Sequence, residues 1–290
     1  MKTGEKREMQ VIASPEEMRS WSRAMHAQRK RVALVPTMGF LHKGHETLLR
    51  VAGEHADAVV MSLFVNPTQF GPNEDLGKYP RDLERDMAHA RAAGVSVVFA
   101  PTDIAMYPDG FQTFIEPGPL ATGLCGARRP GHFRGVATVV AKLFAMVEPD
   151  MAIFGEKDYQ QLLVIRRTAA DLNLPVQILS HETVREADGL AMSSRNSYLS
   201  PEDRQRALAL PRALQAAREQ FAAGDTDVQR LVELATRALL LHTDGIDYLE
   251  IRDVVSLAPM GQIERPAMIL GAAFFGKTRL IDNLKLNDED

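Results

Sequence analysis

The chain has 290 residues, 45% of them hydrophobic and 25% charged, which excludes a disordered or fibrous protein and suits two domains or one large one. Its net charge of −4 excludes a general electrostatic pull toward nucleic acid or anionic lipid, so no partner of either kind is expected. The single cysteine, Cys125, excludes an intrachain disulfide and a cysteine-based zinc cluster, in keeping with a reducing compartment.

Met1 to Gln10 is polar and charged, without the apolar core of a signal peptide. No apolar run approaches the ~20 residues of a membrane span, and a soluble cytoplasmic protein is the expectation. Ser14-Pro15-Glu16-Glu17 predicts a helix entry: a capping serine, proline at the first helical position, then acids. Arg31 to Val35 is a short, largely apolar run that predicts a buried strand, followed by helical patterning from Glu46 to about Glu54. Ala58 to Val65 is the second such strand, Tyr79-Pro80-Arg81-Asp82 opens another helix, and Val95 to Phe99 is the third strand. Asn73 to Arg81, polar with glycine and proline, predicts a mobile loop. Val136 to Val147 is apolar at helical spacing, Met151 to Phe154 is strand-like, Tyr159 to Leu172 is helical, and Val176 to Leu179 completes the series. Strands alternating with helices predict an α/β fold, a Rossmann-like parallel sheet with helices on both faces.

The pattern then changes. Ser200-Pro201-Glu202-Asp203 starts a helix, and Asp227 to Leu241 is another. Ile246 to Arg252, Ala267 to Phe275 and Thr278 to Leu284 predict strands, the last two joined at Gly276-Lys277. This is a smaller α+β unit. The boundary is placed near Val184, giving a sheet domain over 1–183 and a C-terminal lid over 184–290.

The densest chemistry is Pro36-Thr37-Met38-Gly39-Phe40-Leu41-His42-Lys43-Gly44-His45. It follows a strand and precedes a helix, where open α/β sheets bind ligands. His42 and His45, three apart, share one face of a first helical turn. Two imidazoles beside free amides at a helix N-terminus suit phosphate oxygens and the charge that grows on them during displacement. Taken alone, a His-x-x-His is more often a turn with one buried histidine, or a metal pair. The strand, the glycines and the helix start favour nucleotide. Gly155-Glu156-Lys157-Asp158 also follows a strand, with a glycine for close backbone approach and a lysine for phosphate. Asp158 suits magnesium or nucleotide hydroxyls. Gln69 and Gln161 present amides able to hold a hydroxy acid. Arg134 either reaches a carboxylate or caps the helix after it. Nothing in the sequence around Cys125 argues for a catalytic thiol.

His42-Lys43-Gly44-His45 resembles the HxGH signature of nucleotidylyltransferases, a superfamily that includes class I aminoacyl-tRNA synthetases. The longer string from Val35 resembles the pantoate–β-alanine ligase (pantothenate synthetase) family in particular. Four further segments agree in order: Phe64-Val65-Asn66-Pro67-Thr68-Gln69-Phe70, His132-Phe133-Arg134-Gly135-Val136, Phe154-Gly155-Glu156-Lys157-Asp158-Tyr159-Gln160-Gln161, and Met192-Ser193-Ser194-Arg195-Asn196. The resemblance covers nearly the whole chain and thins in the first ~10 and last ~90 residues.

The resemblance implies ATP-dependent joining of (R)-pantoate to β-alanine through a pantoyl adenylate, with magnesium on the triphosphate and a homodimeric protein. It places Met38, Gly39, His42, Gly44, His45, Gly155, Glu156, Lys157, Asp158, Val184, Met192, Ser193, Ser194 and Arg195 around ATP. His42, His45, Lys157, Ser193 and Arg195 would act on the transferring and departing phosphates. It sets Gln69, Gln161, Asn66 and Arg134 on the small-molecule substrates. Other readings remain: a different HxGH transferase, a nucleotide-binding protein without activity, and a His42/His45 metalloprotein, which lacks a convincing third ligand.

Overall fold

The computed structural model describes residues 9–72 and 74–287. The polar start up to residue 8 and Asn73 of the predicted loop lie outside them. Six strands form the first sheet: β1 (Gln10–Ile12), β2 (Val32–Thr37), β3 (Ala58–Leu63), β4 (Val97–Phe99), β5 (Met151–Gly155) and β6 (Gln177–His181). They run parallel in the order β1-β4-β3-β2-β5-β6. From β2 the chain winds outward to β3 and β4, then returns to build β5 and β6 on the other side. The switch point is therefore the β2–β5 gap, and the crevice beyond their carboxyl ends is where such sheets take ligands.

The α/β reading holds, because the central strands are buried on both faces and so read as unbroken apolar runs. Val32 and Leu34 face one core, with Met18 of α1 (Pro15–Ala27), Val136 and Val140 of α6 (His132–Val147) and Leu162 of α7 (Tyr159–Asp171). Ala33 and Val35 face the other, with Leu49 of α2 (Lys43–His55) and Met87 of α3 (Leu83–Ala92). Ser14 caps α1 by accepting from the Glu17 amide at 3.3 Å, as its sequence predicts. The helix expected to open at Tyr79 begins at Leu83 instead, because Asp82 is the cap, accepting from the Arg85 amide at 3.1 Å. Two short turns, α4 (Asp103–Met106) and α5 (Cys125–Arg128), bridge β4 to α6.

The second sheet is antiparallel, β7 (Gly245–Asp253), β8 (Ala267–Phe275) and β9 (Thr278–Lys285). Helices α9 (Ala209–Ala222) and α10 (Val228–Leu240) cover one face, with Leu210, Leu214 and Leu239 on Ile269 and Phe275. The helix predicted from Ser200 is interrupted after α8 (Pro201–Arg206). Pro211 has no N–H for the carbonyl of residue 207 and its ring crowds that carbonyl, so a continuous ladder cannot form there. The opposite face of β8, with Met268, Leu270 and Ala272, joins the core of the first sheet.

Candidate active site

The loop from β2 to α2 is bent by two residues with positive φ, Gly39 at 85° and Phe40 at 50°. Buried Asp86 of α3 holds it, accepting from the amides of Phe40 at 2.8 Å and Leu41 at 2.6 Å. A Cβ on Gly39 would stand 2.8 Å from the Asp86 carboxylate, so both the dihedral and the space require glycine.

His42 is the N-cap of α2, with φ −137°, rather than a member of its first turn. Its Nδ1 accepts from the Gly44 amide at 3.2 Å, while its own amide donates to His45 Nδ1 at 3.3 Å. The histidines thus form a reciprocal capping box. Two of the amides expected to be free for phosphate are spent on it. The rings stand 4.0 Å apart, centroid to centroid. Burial, then His45, Lys157 and Arg85, push the His42 pKa down to about 2; burial and then Lys157 push that of His45 to about 4. Both rings are therefore neutral near pH 7. With each Nδ1 used as an acceptor, the proton resides on Nε2, so the pair offers two N–H donors rather than two cations.

Lys157 lies in the turn after β5, with its Nζ 3.8 Å from Asp158 Oδ2. The turn is fixed from β9, where Asn283 Nδ2 donates to the carbonyls of Glu156 at 2.9 Å and Lys157 at 2.8 Å. Across the opening, Ser193 caps the turn 194–198 by accepting from the Arg195 amide at 3.2 Å. Ser194 Oγ donates to the Phe40 carbonyl at 3.2 Å, tying this segment to the histidine loop.

On the sheet's other side, Asn66 donates through Nδ2 to Gln69 Oε1 at 3.0 Å and to the Gly135 carbonyl at 3.2 Å. Its Oδ1 accepts from Tyr107 at 2.7 Å and Thr68 Oγ1 at 2.9 Å. Every polar position of the Asn66 side chain is thus met by protein, which lets it position Gln69 while it lines the cavity. Gly135 permits this approach, since a Cβ there would fall 2.4 Å from the Thr68 carbonyl oxygen. Gln161, on the first turn of α7, has no hydrogen-bond partner among the described residues.

These elements enclose a cavity of about 240 Å³ at the β2–β5 switch point. All the site residues expected from sequence line it except Gly39, Glu156 and Arg134. A model of the family described as pantoate-beta-alanine ligase matches residues 10–285. The chain belongs to that family. It is 54% identical to pantothenate synthetase 1 of Bradyrhizobium diazoefficiens, over 96% of this chain and 99% of that one. It is 51% identical to the pantothenate synthetase of Myxococcus xanthus, over 97% of each. The crystal structure of pantothenate synthetase from Thermus thermophilus superposes with a TM-score of 0.92 at 48% identity, over 97% of this chain and 100% of that one. A pantoate-beta-alanine ligase from Francisella tularensis, complexed with beta-gamma ATP and beta-alanine, gives a TM-score of 0.79 at 31% identity, over 97% and 99%.

Three expectations are corrected for this member of the pantoate–β-alanine ligase family. Gly39 shapes the loop from behind. Glu156 turns away, accepting from Ser180 Oγ at 2.9 Å and pairing with Lys285 at 3.6 Å. Arg134 lies on the exposed face of α6, its guanidinium 3.8 Å above the Phe114 ring and 3.4 Å from Glu116. It neither faces the cavity nor caps a helix. The cation that does face the cavity from this region is Arg129, which sequence reasoning missed. Arg129 donates to both Glu74 oxygens, at 2.7 and 2.6 Å, and to His132 Nε2 at 3.0 Å. His132, its pKa pushed to about 4 by burial and then by Arg129, donates through Nδ1 to the Gln69 carbonyl at 2.8 Å. Arg195 is likewise held by Asp75, at 2.9 Å to each oxygen. The polar loop therefore sits over the site on two adjacent carboxylates. Cys125 lies outside this cavity; its Sγ is 3.2 Å from Tyr248 Oη and 3.5 Å from an Arg279 nitrogen.

Proposed function

We propose that the chain condenses (R)-pantoate with β-alanine at this cavity, using ATP and passing through pantoyl adenylate. The observation that carries the reading is the convergence of the two Nε2–H donors, Lys157 and the Gln69 and Gln161 amides on one cavity at the switch point. In the first step a pantoate carboxylate oxygen bonds to the α-phosphorus as the bond to the β-phosphate oxygen breaks, and pyrophosphate leaves. In the second, the β-alanine amine attacks the acyl carbon, loses a proton, and AMP departs with the anhydride oxygen. No protein nucleophile is needed; the protein supplies positioning and charge stabilisation.

His42 and His45 act as neutral donors to the α-phosphate, where negative charge grows. Lys157, Ser193 and Arg195 serve the departing pyrophosphate, with Arg195 exchanging Asp75 for phosphate oxygens. Met38, Gly44, Gly155, Val184, Met192 and Ser194 shape the nucleotide pocket. Gln69 and Gln161 hold the hydroxy acid. Magnesium would travel with the triphosphate. Among the described residues no group of three or more His, Cys, Asp or Glu side chains gathers to hold a metal, so phosphate and water oxygens, with Asp158 beside them, fit such an ion. Bound there, it would neutralise phosphate charge. Residues 184–290 cover the site through Ser194 and Arg195. Among the described residues no helix is long and apolar enough to cross a membrane, and the solitary cysteine fits a cytoplasmic setting. The family resemblance supports a homodimer, which sedimentation would test.

With ATP, magnesium and pantoate alone, the protein should release about one pyrophosphate per site and stall. Adding β-alanine should restart turnover and liberate AMP. ADP and orthophosphate as products would overturn the reading, since they mean γ-phosphoryl transfer.

A further inference from the structure

A second cavity, of about 400 Å³, lies between the two units. It shares Lys157, Asp158, Ser193 and Arg195 with the first, together with Gln161, Arg129 and His132, whereas Met38, His42, Gly44, Val184 and Met192 face the first alone. The side chains assigned to the departing phosphates therefore form a wall common to both cavities. The far lining comes from the second sheet, including Asp247, Lys277, Thr278 and Arg279. Asp247 is taken by Arg279 at 2.8 Å and by Arg128 at 3.3 Å. Lys277 stands exposed on the β8–β9 turn and makes no ion pair among the described residues, although Asp203 and Asp244, which share Arg206, lie beside that turn. The positive excess belongs to the lining as a whole, where six lysine and arginine side chains meet five carboxylates.

We propose that this second cavity is the exit for inorganic pyrophosphate. The inference rests on the two-step reading above, in which pyrophosphate must leave while the acyl adenylate stays bound. Departure through the first cavity would take a polyanion past the adenylate that fills it. Departure through the second starts at Lys157 and Arg195, leaves behind Met38, His42, Gly44, Val184 and Met192, which face the first cavity alone, and follows a lining whose cations outnumber its carboxylates, which favours an anion along the path.

The test caps the rim after folding. Lys277→Cys places a thiol on an exposed turn, while the native Cys125 is buried. The variant is conjugated to a bulky maleimide polymer, with the unsubstituted protein treated alike as control. With ATP, magnesium and pantoate, adenylate formed on the enzyme is followed by rapid quench, and free pyrophosphate by a coupled pyrophosphatase. Capping should leave adenylate formation unchanged and slow pyrophosphate release on the order of tenfold or more, making release rate-limiting. The same cap at Glu182→Cys, on the rim of the first cavity only, should slow ATP binding and spare pyrophosphate release from a preformed complex. Release that keeps pace with formation in the capped Lys277 variant overturns the proposal, as does a cap that slows adenylate formation itself. If the unmodified protein forms no adenylate, the functional reading fails and the exit fails with it.

Discussion

The capping box allows the two duties of His42 to be separated by one substitution. His42→Asn retains a side-chain acceptor for the Gly44 amide, and asparagine is among the best N-caps, so stability should fall by no more than a few tenths of a kcal/mol. His42→Ala removes that acceptor and should cost about 1 kcal/mol, still within the roughly 5–15 kcal/mol typical of a folded domain. Neither variant retains an Nε2–H at the α-phosphate. Loss of one preorganised donor costs on the order of 100-fold in turnover, or about 2.7 kcal/mol of barrier. His42→Asn should therefore melt like the parent and turn over on the order of 100-fold more slowly. Thermal unfolding and AMP formation at saturating ATP, pantoate and β-alanine measure the two effects separately. Near-parental turnover in His42→Asn would reduce the residue to a helix cap and refute its role as a donor.

Gln69→Ala and Gln161→Ala should each weaken pantoate binding by roughly 10-fold or more while ATP binding changes less, because hydroxyls are left unpaired in a site built for them; calorimetric titration with each ligand checks this. Gly135→Ala drives a methyl to 2.4 Å from the Thr68 carbonyl oxygen and should cost about 1–3 kcal/mol while displacing Gln69. Its pantoate affinity should fall with ATP affinity retained, and equal loss of both would count against the Gly135 contact as the support of Gln69. The histidines also fix the pH response. Their folded-state pKa values lie below the usual 6.5, at about 2 for His42 and about 4 for His45, so the stability they contribute is complete above 6.5 and lost as pH falls, down to about 4 for His45 and about 2 for His42. Turnover should therefore show no acid limb near 6.5, and a half-maximal point there in a pH–rate series would contradict the neutral-donor assignment.

The central strands were legible because burial on both faces leaves them apolar apart from Thr37 and Ser62, and Ala267–Phe275 is bounded in the structure as its sequence suggests. The edge strand β1, three residues long, was not, since so short a run carries no periodicity. Within the site, the histidine loop, Lys157 and the 192–195 segment announced themselves by motif. Arg134 misled because it lies inside a matching segment. The periodicity of α6, with Phe133, Val136, Ala137 and Val140 buried, already puts position 134 on the solvent side. Arg129 gave no such sign. Its approach depends on the left-handed Gly131 ahead of α6, and its partner Glu74 is 55 residues away. Ion pairs of that span, like Arg195 with Asp75, leave no trace in local pattern.

Asn283 ties the C-terminal sheet to the backbone that presents Lys157, and the bidentate Arg185–Asp282 pair stands beside it at 2.7 and 2.9 Å. With Met268 and Leu270 sharing the core of the first sheet, a cut at residue 184 severs one packed body. Chimaeras that join residues 1–183 of this chain to the remainder of a relative should therefore inherit a misplaced lysine unless the donor matches at the Asn283 contact and the β8 face. Crossovers placed within the β8–β9 turn, at Gly276-Lys277, would separate Asn283 from Met268 and should fare worse still.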